Sequence, residues 1–121
     1  MTSVRAIRGA TQAAANTAEA IDLATKELLL EIMKENALTP DAFISIIFTA
    51  SPDLNAAFPA SSAREIGFAQ VPLICGREID VPEALERAIR IMAHVESDRS
   101  RGEISHVFLG AAKALRKDLT Q

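Results

Sequence analysis

Apolar positions change their spacing along this chain, and the changes mark out its elements. Residues 4–11 read as a strand with Gly9 at its end. Residues 17–36 form the clearest helix: Ile21, Leu28 and Ile32 recur at helical spacing, and Leu29 and Met33 widen the stripe. Its other face carries Asp22, Lys26, Glu27, Glu31, Lys34 and Glu35. Asn16 is placed to cap it, with Glu19 as the returning acid of a capping box, and Asn36 and Pro40 close it. Residues 42–50 are rich in β-branched and aromatic side chains and predict a buried strand. Ser51-Pro52-Asp53 marks a turn, residues 59–66 a short helix entered at Pro59, and residues 71–76 a short strand. The segment 82–97 carries two signals, and its composition tips it weakly towards one helix. Residues 98–103 read as a solvated loop, 104–109 as a last strand and Ala111–Leu115 as a helical turn. Two helices of differing length and about five strands predict an α/β sandwich, a mixed sheet with helices on one face.

With 121 residues, 49% of them hydrophobic, the chain fits one domain, residues 1–121, with a substantial core. A net charge of −3 argues against nucleic acid as a partner, and the absence of Trp and Tyr argues against base-stacking platforms. One cysteine excludes an intrachain disulfide, and the cysteine and histidine spacing matches no familiar metal motif, so no metal and no cofactor are expected. No apolar run approaches the ~20 residues of a membrane span, and no secretory signal is visible. A reducing cytoplasm is the natural setting.

Charge changes the picture in one respect: nine of the thirteen cations are arginine, and two of those interrupt apolar runs. Arg8 breaks Val4–Ala10, and Arg90 splits Ala88–Met92. A guanidinium keeps its charge, so such a position calls for an anion or a ligand. Cys75 and Glu78 add a thiol and a carboxylate just after an apolar strand. The set points to a small anionic ligand in a polar pocket. On pattern alone each arginine also fits a strand residue whose stem lies on apolar surface with its head in water. Cys75 likewise fits a small buried hydrophobe, and His94 and His106 read as structural.

One ordered series of residues goes further. Ile7-Arg8-Gly9-Ala10-Thr11, Thr49-Ala50-Ser51-Pro52-Asp53-Leu54, Phe58-Pro59-Ala60, Arg64-Glu65, Val71-Pro72, Cys75 with Glu78-Ile79-Asp80-Val81, Ile89-Arg90-Ile91-Met92, His106-Val107-Phe108-Leu109 and Leu115-Arg116 follow in sequence. Together they resemble the small trimeric chorismate mutases of the AroH class, over nearly the whole chain. The resemblance implies a mixed sheet with helices on one face, three chains packed as a pseudo-α/β barrel, and an active site in each cleft between subunits. It also implies a strand around Arg90. The implied reaction is the Claisen rearrangement of chorismate to prephenate, the branch step towards phenylalanine and tyrosine.

Carried over by position, Arg8 resembles the arginine that binds a substrate carboxylate, and Arg90 the one that reaches the ether oxygen. Glu78 and Cys75 resemble the pair that holds the substrate hydroxyl. Phe58, Ala60 and Arg64 resemble the wall and rim offered by a neighbouring subunit. Leu73 and Ile74 match further lining positions, and Leu115 and Arg116 the tail that closes over the cleft. Phe108 stands where the family commonly has a tyrosine, Ser61 where it often has a lysine, and Lys117 where a proline is usual. Two other readings borrow the same architecture: an enamine/imine deaminase, and a non-catalytic trimer that binds a carboxylate metabolite.

Overall fold

The computed structural model describes residues 1–118, with side chains described to residue 115. Its strands are β1 (Ser3–Gln12), β2 (Phe43–Ala50), β3 (Leu73–Arg77), β4 (Ala88–Ser97) and β5 (Val107–Phe108), in the spatial order β3-β2-β4-β1-β5. β4 lies at the centre, antiparallel to both β1 and β2, while β3 and β5 join the edges in parallel. The helices are α1 (Ala18–Glu35) and the short α2 (Pro59–Ala63), which runs into a wide turn at Arg64–Phe68. A 3₁₀ segment, Gly110–Asp118, closes the described chain.

The segment 82–97, which pattern alone tips weakly towards a helix and for which the family resemblance implies a strand around Arg90, is a turn followed by the central strand. Alanine, glutamate and arginine favour a helix, but tertiary packing overrides that preference here. In the extended form Ile89, Ile91, Ala93 and Val95 all point to one face and are buried there. Ile91, Ala93 and Val95 join Leu28, Leu29 and Ile32 of α1, with Phe43 and Phe68 edge to face at 5.0 Å between ring centroids, while Ile89 packs with Ile21 and Ala24 in a second cluster. The preceding turn needs left-handed backbone at two non-glycine residues, Glu83 (φ 70°) and Arg87 (φ 51°). That conformation interrupts any helix starting at Pro82.

Three smaller expectations are also revised. Thr17, not Asn16, caps α1: its hydroxyl accepts from the Ala20 N–H at 3.1 Å. Asn16 instead ties down the loop before Phe58, accepting from the N–H groups of Asn55 (3.0 Å) and Ala56 (3.1 Å). Residues 98–103 contain a 3₁₀ turn, Arg101–Glu103, with its own capping box between Ser100 and Glu103. Gly9 lies inside β1 and not at its end. A Cβ there would stand 2.8 Å from Ile32 Cδ1 and 3.3 Å from Leu28 Cδ1, so the missing side chain is what lets α1 seat on the sheet.

The far end of α1 is fastened as well. Asn36, buried, donates to the carbonyls of Ile32 and Ser105 (both 2.9 Å) and accepts from Ser105 N–H at 2.8 Å. The helix layer is thereby locked to the chain entering β5.

The seating of α1 is directly testable. Gly9→Val overpacks the contact with Leu28 and Ile32, and the expected cost is about 1–3 kcal/mol. Chemical denaturation reads it as a lower midpoint with an unchanged slope. An unaltered midpoint would mean that the helix does not depend on that close approach.

Candidate active site

Strand alternation leaves a second sheet face that carries no helix. Because α1 covers the odd residues of β4, Arg90, Met92 and His94 point the other way. Pairing builds two adjacent rows across that face. One runs Gly76, Thr49, Arg90, Ala10, Phe108; the next runs Ile74, Ile47, Met92, Arg8. Arg90 therefore stands on the central strand between a threonine and an alanine, with Arg8 diagonal to it on β1. The small side chains beside it keep space open over the guanidinium.

Glu78 is the first residue past β3. Its N–H extends the sheet pairing by one step, donating to Ala50 O at 2.9 Å. Its Oε2 accepts from the Thr49 hydroxyl, and its Oε1 lies 3.7 Å from Arg90 Nη1. That separation is an ion pair but too long for a hydrogen bond. The side chains are 36% exposed for Arg90 and 28% for Glu78, so water screens the pair and it adds little to stability. Its arrangement suits ligand binding better, with a cation and an acid facing one space.

Arg8 has its guanidinium carbon 5.4 Å from the centroid of the Phe108 ring, within cation–π range. Its backbone N–H donates to His106 Nδ1 at 3.0 Å, which fastens β1 to the approach of β5. Phe108 is buried with Ala10 and Ala112, and Leu85 and Leu115 pack around them. Leu115 also lines a cleft of about 430 Å³ shared with Glu78, Arg90, Leu85 and Ser51. A smaller recess of about 180 Å³ joins Arg8, Thr49, Glu78 and Arg90. Arg8, Glu78, Arg90, Phe108 and Leu115 are thus gathered on one side of the molecule. The Arg116 side chain lies outside the described residues.

The other expected site residues are not gathered there. Cys75 pairs across to Phe48 and packs, half-buried, against the core on the helix side. Glu78 bonds to Thr49 on the opposite face, so within one chain the thiol and the acid do not meet. Cys75 lines a separate groove of about 580 Å³ with Phe58, Arg77 and Pro52. Phe58 is 70% exposed, Ile74 is exposed on the bare sheet face, and Leu73 leans into the core. Ala60 is buried and Arg64 exposed on the α2 side. Among the described residues no group of three His, Cys, Asp or Glu side chains is arranged to hold a metal ion.

Sequence reading passed over two contributors. Thr49 entered as part of a buried strand and of one block of the family resemblance, with no role of its own. Asp53 entered as a turn residue and in the same block, yet it clasps the chain at the start of β4. Its carboxylate accepts from the Ser51 hydroxyl at 2.5 Å and from the Arg87 N–H at 3.0 and 3.1 Å. Ser51 Oγ in turn accepts from the Ala88 N–H at 2.9 Å. Arg87 Nε donates to Ala13 O at 3.0 Å. Three segments are thereby pinned shortly before Arg90. A polar residue after a proline is an ordinary turn signal, so nothing in the sequence distinguished it.

This combination is an α/β fold, a mixed sheet with one layer of helices, whose other face carries two arginines and one acid around an open recess. Comparison with known proteins gives the family. The model of the family described as chorismate mutase type I matches residues 4–119. The chain is 44% identical to the chorismate mutase AroH of Thermus thermophilus over 117 residues, covering 96% of each protein. It is 41% identical to the chorismate mutase AroH of Bacillus subtilis (strain 168) over 118 residues, covering 97% of this chain and 93% of that one. A solved chorismate mutase from Clostridium thermocellum superimposes with a TM-score of 0.88 at 50% identity, over 90% of this chain and 97% of the other. The chain belongs to the chorismate mutase type I family.

The Asp53 clasp has a pH signature. The Ser51 hydroxyl, and after it the Arg87 N–H, hold the Asp53 carboxyl below its ordinary value of 3.8. A depressed folded-state pKa adds stability that is complete above the unfolded value and drains away as pH falls through the folded one. Asp53→Asn is therefore expected to melt below the wild type near neutral pH, with the difference closing in acid as pH falls through the lowered folded-state pKa. A melting difference that stays constant from neutrality into that acid range would remove the charge from this account.

Proposed function

We propose that the chain rearranges chorismate to prephenate as a single chorismate mutase domain, with Arg90 as the central catalytic group. The observation that carries this reading is the Arg90–Glu78 pair facing one cleft, with Arg8 diagonal on the neighbouring strand. The reaction needs neither a covalent intermediate nor a proton transfer. The protein must hold a flexible dianion in a chair-like conformer, a task of positioning. Arginine forks fit carboxylates, and Arg8 takes one of them. As the ether C–O bond breaks, negative charge grows on its oxygen. A fixed guanidinium at that atom binds the transition state more tightly than the substrate, and this role falls to Arg90. Glu78 accepts the substrate hydroxyl and balances the cations when the site is empty.

The second half of the site comes from a neighbouring chain in a homotrimer. Two features support this. Val4, Ile47, Ile74 and Met92 are all exposed on the bare face of the sheet, an apolar surface that calls for cover. In addition, Phe58 and Cys75 line a groove on the far side of the Ser51-Pro52 turn from Arg90, so one chain alone does not close the site. In the assembled site the segment bearing Phe58, Ala60 and Arg64 supplies the wall and rim of the adjacent subunit's cleft, and the tail at Leu115 and Arg116 closes over it. No described helix is long and apolar enough to cross a membrane, which is compatible with work in the cytoplasm. The near-complete family match favours this reading over a deaminase, whose resemblance is one of architecture. A carboxylate-binding trimer without activity is separated by assay.

The test is loss of chorismate absorbance with the purified protein, alongside mass by light scattering. Turnover from a trimer is expected. Glu78→Gln keeps shape and hydrogen bonding but removes the counter-charge, and it should lower kcat/KM at least tenfold, about 1.4 kcal/mol of transition-state binding. No chorismate consumption, or a fully active monomer, would overturn the proposal.

A further inference from the structure

We infer that Thr49 is a positioning residue for the reaction and acts by fixing the Glu78 carboxylate. The inference rests on the reading of Glu78 given above. Glu78 opens a loop with little of its own to hold it. Its backbone bond to Ala50 O continues the β2–β3 pairing, and the residues that follow, from Ile79 to Ala84, are exposed and bonded within their own turns, Val81 N–H to Ile79 O and Ala84 N–H to Val81 O. A glutamate side chain there has three torsions and is 28% exposed, so packing does not aim it.

Thr49 supplies what the loop lacks. It sits on β2, inside the sheet, paired with Gly76 on one side and Arg90 on the other. Its branched Cβ restricts the first torsion. The Cγ2 methyl lies towards Gly76, 3.9 Å from where a Cβ on that glycine would stand. The hydroxyl donates to Glu78 Oε2. One carboxylate oxygen is thereby occupied, and the other is left towards Arg90 at 3.7 Å.

The consequence is electrostatic. Left to itself, the carboxylate has a better option than this geometry: a two-pronged contact with the guanidinium at hydrogen-bond distance. That contact would neutralise the cation and occupy the donors that the reacting oxygen needs. The Thr49 hydroxyl offers a competing partner on the same strand pair. It holds the acid near enough to balance Arg90 and far enough to leave its donors to a ligand. The same bond leaves Oε1 as a fixed acceptor for a substrate hydroxyl.

The experiment is a double-mutant cycle on chorismate turnover, with thermal melting of every variant. Thr49→Val keeps the shape and removes the donor; Thr49→Ser keeps the donor. Thr49→Val is expected to lower kcat/KM about tenfold with its melting transition retained, and Thr49→Ser to stay within about threefold of wild type. In a Glu78→Ala background the valine change should cost almost nothing more, because the carboxylate that Thr49 holds is already gone. If Thr49→Val fails to fold, Thr49→Ala takes its place in the cycle. Near-wild-type activity in the donorless variant, or losses that multiply fully in the double variant, would overturn the inference while leaving Glu78 in its role. Wild-type turnover in Glu78→Gln alone would overturn the reading beneath it as well.

Discussion

A guanidinium on the central strand, with one carboxylate 3.7 Å away, is the constraint around which this molecule is arranged. Arginine does not shed its charge, so the site tolerates it only with water access and a counter-charge nearby. Both conditions are met by the same architecture. Helices cover one face of the sheet and leave the other bare, and Arg90 emerges on the bare side while its neighbours Ile89 and Ile91 fill the core. The acid arrives from the strand beyond β2 and is met by a hydroxyl from β2 itself. Core packing and the proposed catalytic charge are thus carried on alternate residues of one strand. Each can change with limited effect on the other.

That alternation also explains what could be read from the sequence. β1, β2 and α1 were legible because their apolar spacing is regular and their ends carry turn or cap residues. Arg8 and Arg90 stood out because a permanent charge inside an apolar run is costly. Pattern alone tipped the segment 82–97 weakly towards a helix because its residue types favour one, and nothing local records that it will be flanked by two other strands; the family resemblance, not the local pattern, placed a strand at Arg90. The cap of α1 was displaced by one residue because Asn16 and Thr17 are both good caps; the loop at Asn55 claims the first and leaves the second. For Cys75 and Glu78, closeness in sequence was misleading within a single chain. Three residues of extended chain turn two side chains to opposite faces, and the core takes the thiol.

The separation of these two groups fits a site completed between chains. The face bearing Arg8, Glu78 and Arg90 and the groove bearing Phe58 and Cys75 flank the same turn, Ser51-Pro52. That turn is pinned to the start of β4 through Asp53 and Arg87, so a neighbour docking against the groove would meet a wall already fixed relative to Arg90. By the sequence resemblance, Phe108 stands where the family commonly has a tyrosine. Its ring packs beside Arg8, with the guanidinium carbon 5.4 Å from the centroid, and offers no hydroxyl.

The central claim is that charge at Arg90, and not merely hydrogen bonding, lowers the barrier. Replacing Arg90 by citrulline through semisynthesis tests it most directly. Citrulline keeps the length and planarity of the side chain and much of its hydrogen-bonding capacity, but it is neutral. Loss of one well-placed transition-state donor costs about 10²–10³ in kcat, and loss of the charge itself should cost at least as much. The account predicts a fall in kcat of at least about a hundredfold with melting temperature nearly unchanged. A citrulline enzyme with kcat close to wild type would contradict it and reduce Arg90 to an anchor for the substrate.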